Sequence, residues 1–157
     1  MTITTFDHYV VLVSDHNLAE LRACLYFKPH HVWLVATKPM QIAAQRFHRV
    51  LQKKLSQTCI HQIGDSLQMS LQGERAGEVA AWLSESFATY TASWGGQRVA
   101  LNITGGTKIL PMLLSQVYPW DELHYQPFQP NASQVWLDRL QRTRSEEHTS
   151  ELQSRSA

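Results

Sequence analysis

The spacing of the apolar runs constrains this chain more than any other feature. Short β-rich runs at 7–13, 31–35, 58–63 and 98–103 are separated by segments of helical length. Between the first two, Asn17 precedes Leu18, Leu21, Cys24 and Leu25, an amphipathic helix that must stop before Pro29. Pro39 sets the first turn of a second helix, whose predicted core face is Ile42, Ala43, Phe47, Val50 and Leu51. A loop with Gly64, Asp65 and Gly73 leads into a helix predicted over 74–90, and the turn Trp94-Gly95-Gly96-Gln97 precedes the fourth strand. A helix over 107–118 tolerates Pro111 in its first turn. Strands at 122–126 and 134–138, around a turn at 127–131, close the chain as a hairpin. Strands that are continuously apolar are covered on both faces, and alternation with helices makes them parallel. The predicted class is therefore α/β: a Rossmann-like, doubly wound, mainly parallel sheet with a C-terminal hairpin, in a three-layer sandwich.

In such a sheet, ligands bind beyond the carboxyl ends of the strands. Three polar segments fall there: Ser14-Asp15, Thr37-Lys38, and Asn102-Ile103-Thr104-Gly105-Gly106-Thr107-Lys108. In the third, two glycines let the backbone turn sharply and approach a ligand without Cβ interference. The helix that follows directs free N–H groups and roughly half a positive charge at whatever lies above. Asn102, Thr104 and Thr107 offer uncharged donors and acceptors, and Lys108 adds a full charge. This composition suits phosphate and ribose. The plainer alternative is a glycine turn with a threonine N-cap and a solvated lysine. A Walker loop is excluded because the upstream glycine is missing, and no GxGxxG follows the first strand.

Asn-x-Thr-Gly-Gly-Thr-Lys after a late strand resembles the signature of the CRISPR-associated Rossmann-fold (CARF) domains, and most closely those fused to a restriction-endonuclease-like nuclease. Val11-Leu-Val-Ser-Asp15 with Asn17-Leu18 is similar to the first-strand loop of that family. Residues 29–37 with Met40 resemble its second strand and loop, and Val135-Trp-Leu-Asp138 its closing strand. The similarity spans about residues 7–140. It implies a homodimer that binds a cyclic oligoadenylate, such as cyclic tetra-adenylate, across its twofold axis. That binding would activate an appended nuclease in type III CRISPR defence, the only route by which the protein would act on a nucleic-acid substrate. Asn102, Thr104, Gly105, Gly106, Thr107 and Lys108 carry over directly as ligand-binding residues; Ser14, Asp15 and Thr37 carry over by loop position. Asp15 either accepts from a ribose hydroxyl or adenine amine, or caps the helix near Asn17. Two alternatives stay open: a ring nuclease that cleaves its own ligand, and a nucleotide-binding transcription regulator. No cofactor and no catalytic residue is assigned.

Other features carry less. Cys24 and Cys59 lack a CxxC partner and read as reduced core thiols. The eight histidines show no zinc spacing. The five tryptophans read as core or dimer-interface residues, and Lys53-Lys54 as a solvated helix end. A net charge of +1 without a basic block makes any phosphate recognition local. No apolar run suits a membrane span and no leader is legible at the start, so a cytoplasmic location is expected.

The character of the chain changes at Arg144. The eleven residues 144–154, Arg-Ser-Glu-Glu-His-Thr-Ser-Glu-Leu-Gln-Ser, resemble the translation of a common sequencing-library adapter. The expected organisation is a sensing domain at 1–143, a non-native tail at 144–157, and a missing C-terminal effector domain. A chain truncated after Thr143 is expected to melt at the same temperature as the full chain in a calorimetric scan. A drop of several degrees would show that the tail packs on the domain.

Overall fold

The computed structural model describes residues 5–63, 76–106, 109–126 and 138–141, with backbone alone for the last segment. Thr107, Lys108, the loop from Gly64 to Gly73 with the predicted helix start at Glu74, the turn at 127–131, residues 134–137 with Trp136, and the tail at 144–157 lie outside the described residues.

The elements alternate as the apolar spacing requires. Strand β1 (His8–Leu12) leads to helix α1 (Leu18–Phe27), and β2 (His31–Val35) to a single 3-10 turn (Lys38–Met40) and α2 (Gln41–Lys54). Strand β3 (Cys59–Ile63) follows. Next come α3 (Ala76–Trp82), a π-helical stretch (Leu83–Phe87) and α4 (Ala88–Thr91). Strand β4 (Val99–Asn102), α5 (Ile109–Val117), β5 (Glu122–Tyr125) and β6 (Asp138–Gln141) complete the fold. The sheet order is β3-β2-β1-β4-β5-β6; the first five strands run parallel and β6 pairs antiparallel with β5.

Both faces of the sheet are covered, which is why the strands read as continuous apolar runs. Val10, Leu12, Val99 and Leu101 face one core, with Trp82, Phe87, Trp94, Leu110, Leu114 and Trp120 from α3 through the start of β5. Tyr9, Val11, Val32 and Leu34 face the other, against Ala23, Cys24 and Phe27 of α1 and Ala44, Phe47 and Leu51 of α2. Trp82, Trp94 and Trp120 are core residues, and Trp120 Nε1 donates to the Leu114 carbonyl at 2.8 Å. Among the described residues no helix is long and apolar enough to cross a membrane.

Several expectations shift. The buried stripe of α2 is Ala44, Phe47 and Leu51, while Ile42 is 65% and Val50 38% exposed. The small Ala44 lets the helix sit close to the sheet, which turns Ile42 and Val50 outward as flanks. Pro39 lies in the 3-10 turn ahead of α2 rather than in its first turn. Cys24 is buried, but Cys59 is exposed, because it opens the edge strand β3 where one flank has no neighbour. Of the closing strand expected at 134–138, only Asp138 lies within the described residues, where it opens β6 (Asp138–Gln141).

Histidines line the lower rim of the sheet. His8 stacks on Trp94 with ring centroids 4.5 Å apart, and His61 on Trp33 at 4.0 Å. His31 Nδ1 and His61 Nε2 are 3.0 Å apart, so they share one proton. Burial, with the neighbouring His31, holds both His8 and His61 below the usual histidine range, although the Gln97 hydrogen bond to His8 works the other way. The unfolded chain takes up these protons at about pH 6.5. Stability is thus present above that value and is lost as pH falls through the lowered folded values. Because buried Glu20, raised to about 7, gains stability over the same range, the histidine contribution is read as a difference: between pH 6.5 and pH 5 the wild-type denaturant midpoint is expected to fall relative to that of His61→Phe, which keeps the stack on Trp33. A constant difference between the two proteins across this range would show that His61 does not contribute.

Candidate functional site

Strand β1 pairs with β2 on one edge and β4 on the other, so successive crossovers leave it in opposite directions. The loops after β1 and β4 therefore part around a crevice at the carboxyl edge of the sheet, the usual ligand position in this architecture. A cleft of about 250 Å³ opens there and brings together Ser14, Asp15, Thr37, Met40 and Gly106. A neighbouring groove of about 300 Å³ between α1 and α2, walled by Leu18, Leu21, Phe47 and Val50, shares Asp15 with it.

The glycine pair fits so closely that neither position accepts a side chain. A Cβ on Gly105 would stand 2.6 Å from the Leu12 carbonyl oxygen, 3.2 Å from Ser14 Oγ and 3.3 Å from Glu20 Oε1. Gly106 has φ of +87°, a conformation that L side chains rarely adopt, with Leu12 3.1 Å from its Cβ position. Gly105 is buried against the end of β1, whereas Gly106 faces the cleft.

Asn102 does not line the cleft. It is fully buried, and its Oδ1 accepts from the Thr104 N–H at 2.9 Å while its Nδ2 donates to the Tyr9 hydroxyl at 3.1 Å. Tyr9 is 2.8 Å from His124 Nδ1, and His124 Nε2 is 3.0 Å from Glu122 Oε1. The other Glu122 oxygen pairs with Arg98 Nη2 at 2.5 Å. Because the Tyr9 oxygen accepts from Asn102, its proton goes to His124 Nδ1. The proton of a neutral His124 then lies on Nε2 and meets Glu122, so each of these groups is satisfied. A buried polar chain thus runs from Arg98, half-buried at the lower rim, to the loop itself. Thr104 is half-buried, and its Oγ1 accepts from the Gln126 N–H at 3.0 Å, which ties the loop to the end of β5.

The first loop is braced differently. Asn17 Oδ1 accepts from the Ser14 N–H at 2.9 Å and its Nδ2 donates to the Ser14 carbonyl at 2.7 Å. Ser14 Oγ donates to the His16 carbonyl at 2.9 Å, and Ser14 lines the cleft. Asp15 is exposed on the rim and caps nothing among the described residues; Asn17 occupies the N-cap position of α1 without a side-chain cap bond. Of the residues expected to bind, the structure gathers Ser14, Asp15, Thr37 and Gly106 around the cleft, and sets Gly105, Thr104 and Asn102 behind them. Tyr9, His124 and Glu20 were not singled out from the sequence. Glu20 carried a signal all the same, as a polar residue on the stripe of Ala23, Cys24 and Phe27. Among the described residues, no group of three or more His, Cys, Asp or Glu side chains is placed to hold a metal ion.

No family model and no curated protein matches this chain. Solved structures do. Can2 from Sulfobacillus thermosulfidooxidans, in complex with cyclic tetra-adenylate, is 21% identical with a TM-score of 0.53 over 77% of this chain and 32% of its own. Enterococcus italicus Csm6, bound to cyclic hexa-2′-fluoro-hexa-dAMP, is 15% identical with a TM-score of 0.62 over 83% of this chain and 35% of its own. A type III CRISPR defence DNA nuclease activated by cyclic oligoadenylate is 20% identical with a TM-score of 0.50 over 78% of this chain and 19% of its own. The chain spans about a third or less of the length of these proteins. At these identities the likeness is one of fold, and at that level the resemblance to CARF domains holds.

The packing beneath Gly105 has a direct consequence. Gly105→Ala forces a methyl against the Leu12 carbonyl, a backbone atom that cannot swing away, and should cost about 1–3 kcal/mol in a denaturant titration. An unchanged midpoint would show that the loop is free to lift off β1.

Proposed function

We propose that this chain is a CARF-type sensing domain that binds a cyclic oligoadenylate, with cyclic tetra-adenylate the first choice, across the axis of a homodimer. The observation that carries the reading is the Gly105-Gly106 loop at the switch point. There the backbone turns without room for a side chain, beside the polar rim of Ser14, Asp15 and Thr37. Such a loop puts main-chain N–H groups within reach of phosphate oxygens, which no Cβ keeps at a distance. The fold neighbours captured with cyclic oligonucleotides add weight to it.

The chemistry suits the ligand. A cyclic tetra-adenylate carries four phosphates in a near-symmetric ring, so a twofold pair of protomers can offer each half the same loop. Two copies of Lys108 and two helix N-termini would supply about three positive charges against the four negative ones. Ser14 Oγ and Thr37 would bond ribose or phosphate oxygens, and Asp15 on the exposed rim suits a ribose hydroxyl or an adenine amine. Asn102, buried and bonded to Thr104, would hold the loop rather than touch the ring. In a longer protein the occupied dimer would switch on an appended nuclease.

Titration calorimetry with cyclic tetra-adenylate tests this reading. Wild type is expected to bind, and light scattering with ligand present should give the mass of a dimer. Lys108→Ala should weaken binding by at least about a hundredfold at low salt, since a twofold site loses two charge-assisted hydrogen bonds of about 1.5–3 kcal/mol each. Circular dichroism should show its fold unchanged. A monomer in saturating ligand, or undiminished binding by Lys108→Ala, would overturn the assignment. Linear product after incubation would add ring cleavage to it.

A further inference from the structure

Beneath the glycine pair lies a carboxyl group that the fold buries without a cation among the described residues. Glu20, in the first turn of α1, is 1% exposed. Its Oε1 stands 3.3 Å from the Cβ position of Gly105, beside Ser14 Oγ and the Leu12 carbonyl, and its Oε2 has no hydrogen-bond partner. The floor of the loop is therefore three oxygen atoms, and the Ser14 proton is already given to the His16 carbonyl. A carboxylate held there would be an uncompensated buried charge, which folded proteins avoid by retaining the proton.

We propose that Glu20 makes anion binding at this loop proton-linked: the carboxyl is neutral when a polyanion sits above Gly105 and Gly106, so binding takes up a proton. The inference rests on the reading of the loop as a phosphate site. Burial raises the Glu20 carboxyl to about 7, against the opposing pull of its own helix N–H, and among the described residues no side-chain charge contributes. Among the described residues the groups packed on it are neutral in this range, and Lys108, the cation of the loop, lies outside them. Tyr9 of β1 and Cys24 of α1 are buried and both pushed upward by burial. Asn102 of β4 is uncharged. The Glu122–His124 pair of β5 lies beyond Tyr9, and Asp15, His16 and Arg46 of α2 are exposed. Near pH 7 the free domain is divided between the two forms, and negative phosphates above the floor favour the protonated one. The sign follows: affinity is greatest below pH 7 and falls as pH rises through the value of the free domain.

Calorimetry of the 157-residue chain with cyclic tetra-adenylate between pH 7 and 8.5 tests the linkage, in a window where neither phosphodiesters nor adenine titrates and which lies above the histidine range. Wild-type affinity is expected to fall about tenfold across the window. Repeating the titration in buffers of different ionisation enthalpy should show a net proton taken up. Glu20→Gln, which keeps the shape and removes the titration, should give a flat profile. A flat wild-type profile with no proton uptake overturns the proposal while the ligand assignment stands, as does an unchanged slope in Glu20→Gln. Should that variant fail to fold, the wild-type proton count decides alone. Absence of binding at every pH removes the ligand reading and this inference together.

Discussion

The structure hangs on β1, a strand of five residues with every side chain buried and both edges bonded to parallel neighbours. Its side chains alternate between two cores, Val10 and Leu12 on one side and Tyr9 and Val11 on the other. Neither core closes without it. Parallel pairing on both edges also forces the crossovers apart and creates the crevice above its carboxyl end. The cleft is thus a consequence of topology, and the loops that line it supply only its chemistry. The single polar side chain of the strand proper besides Tyr9 is His8, and both its ring nitrogens are engaged, by Gln97 at 2.6 Å and by Trp33 at 3.0 Å.

Rigidity at the crevice comes from the polar chain beneath it. Asn102, Tyr9, His124 and Glu122 are all buried, where an unpaired polar group costs about 1–3 kcal/mol. Losing one bond would leave its partner orphaned, so the members hold one another in place. Asn102 Oδ1 fixes the Thr104 N–H, the Gln126 N–H fixes the Thr104 hydroxyl, and the Leu12 carbonyl leaves no room at Gly105. From Asn102 to Gly106 the loop is thus constrained from three sides, and under the proposed function little ordering entropy in this stretch would oppose binding.

The periodicity of the sequence revealed the order of the elements and the parallel sheet, since strands buried on both faces cannot hide their composition. It also located the loop, because two adjacent glycines between a strand and a helix have few other uses. Helix rotation was harder to read. Ile42 and Val50 are as apolar as Phe47 and Leu51, and only the close seat of Ala44 against the sheet decides which stripe is buried. The role of Asn102 was hidden for a related reason: a polar residue at a strand end looks alike whether it points up at a ligand or sideways into a network. The partners that settle it, Tyr9 and His124, lie 93 residues and 22 residues away in the chain. Long-range pairing of that kind leaves no local trace.

The electrostatics of the crevice follow from the weak overall charge. With a net charge of +1 and no basic block, the surface does little to draw a polyanion from a distance. Under the proposed function, attraction would then arise within the site, from main-chain N–H groups, helix ends and the one lysine of the loop. The α1 end contributes in an unusual manner: the Asn17 side chain turns back to brace Ser14 instead of capping the helix, so no N-cap side chain satisfies the first-turn N–H groups. In that turn Glu20 sits where a helix end would favour a carboxylate, while burial favours the acid. Burial outweighs the helix end and brings the group to about 7. A carboxylate fixed beneath a phosphate loop would work against the loop, and an alanine would leave a hole under Gly105. A carboxyl able to hold its proton fills the space and leaves the positive field above it uncancelled.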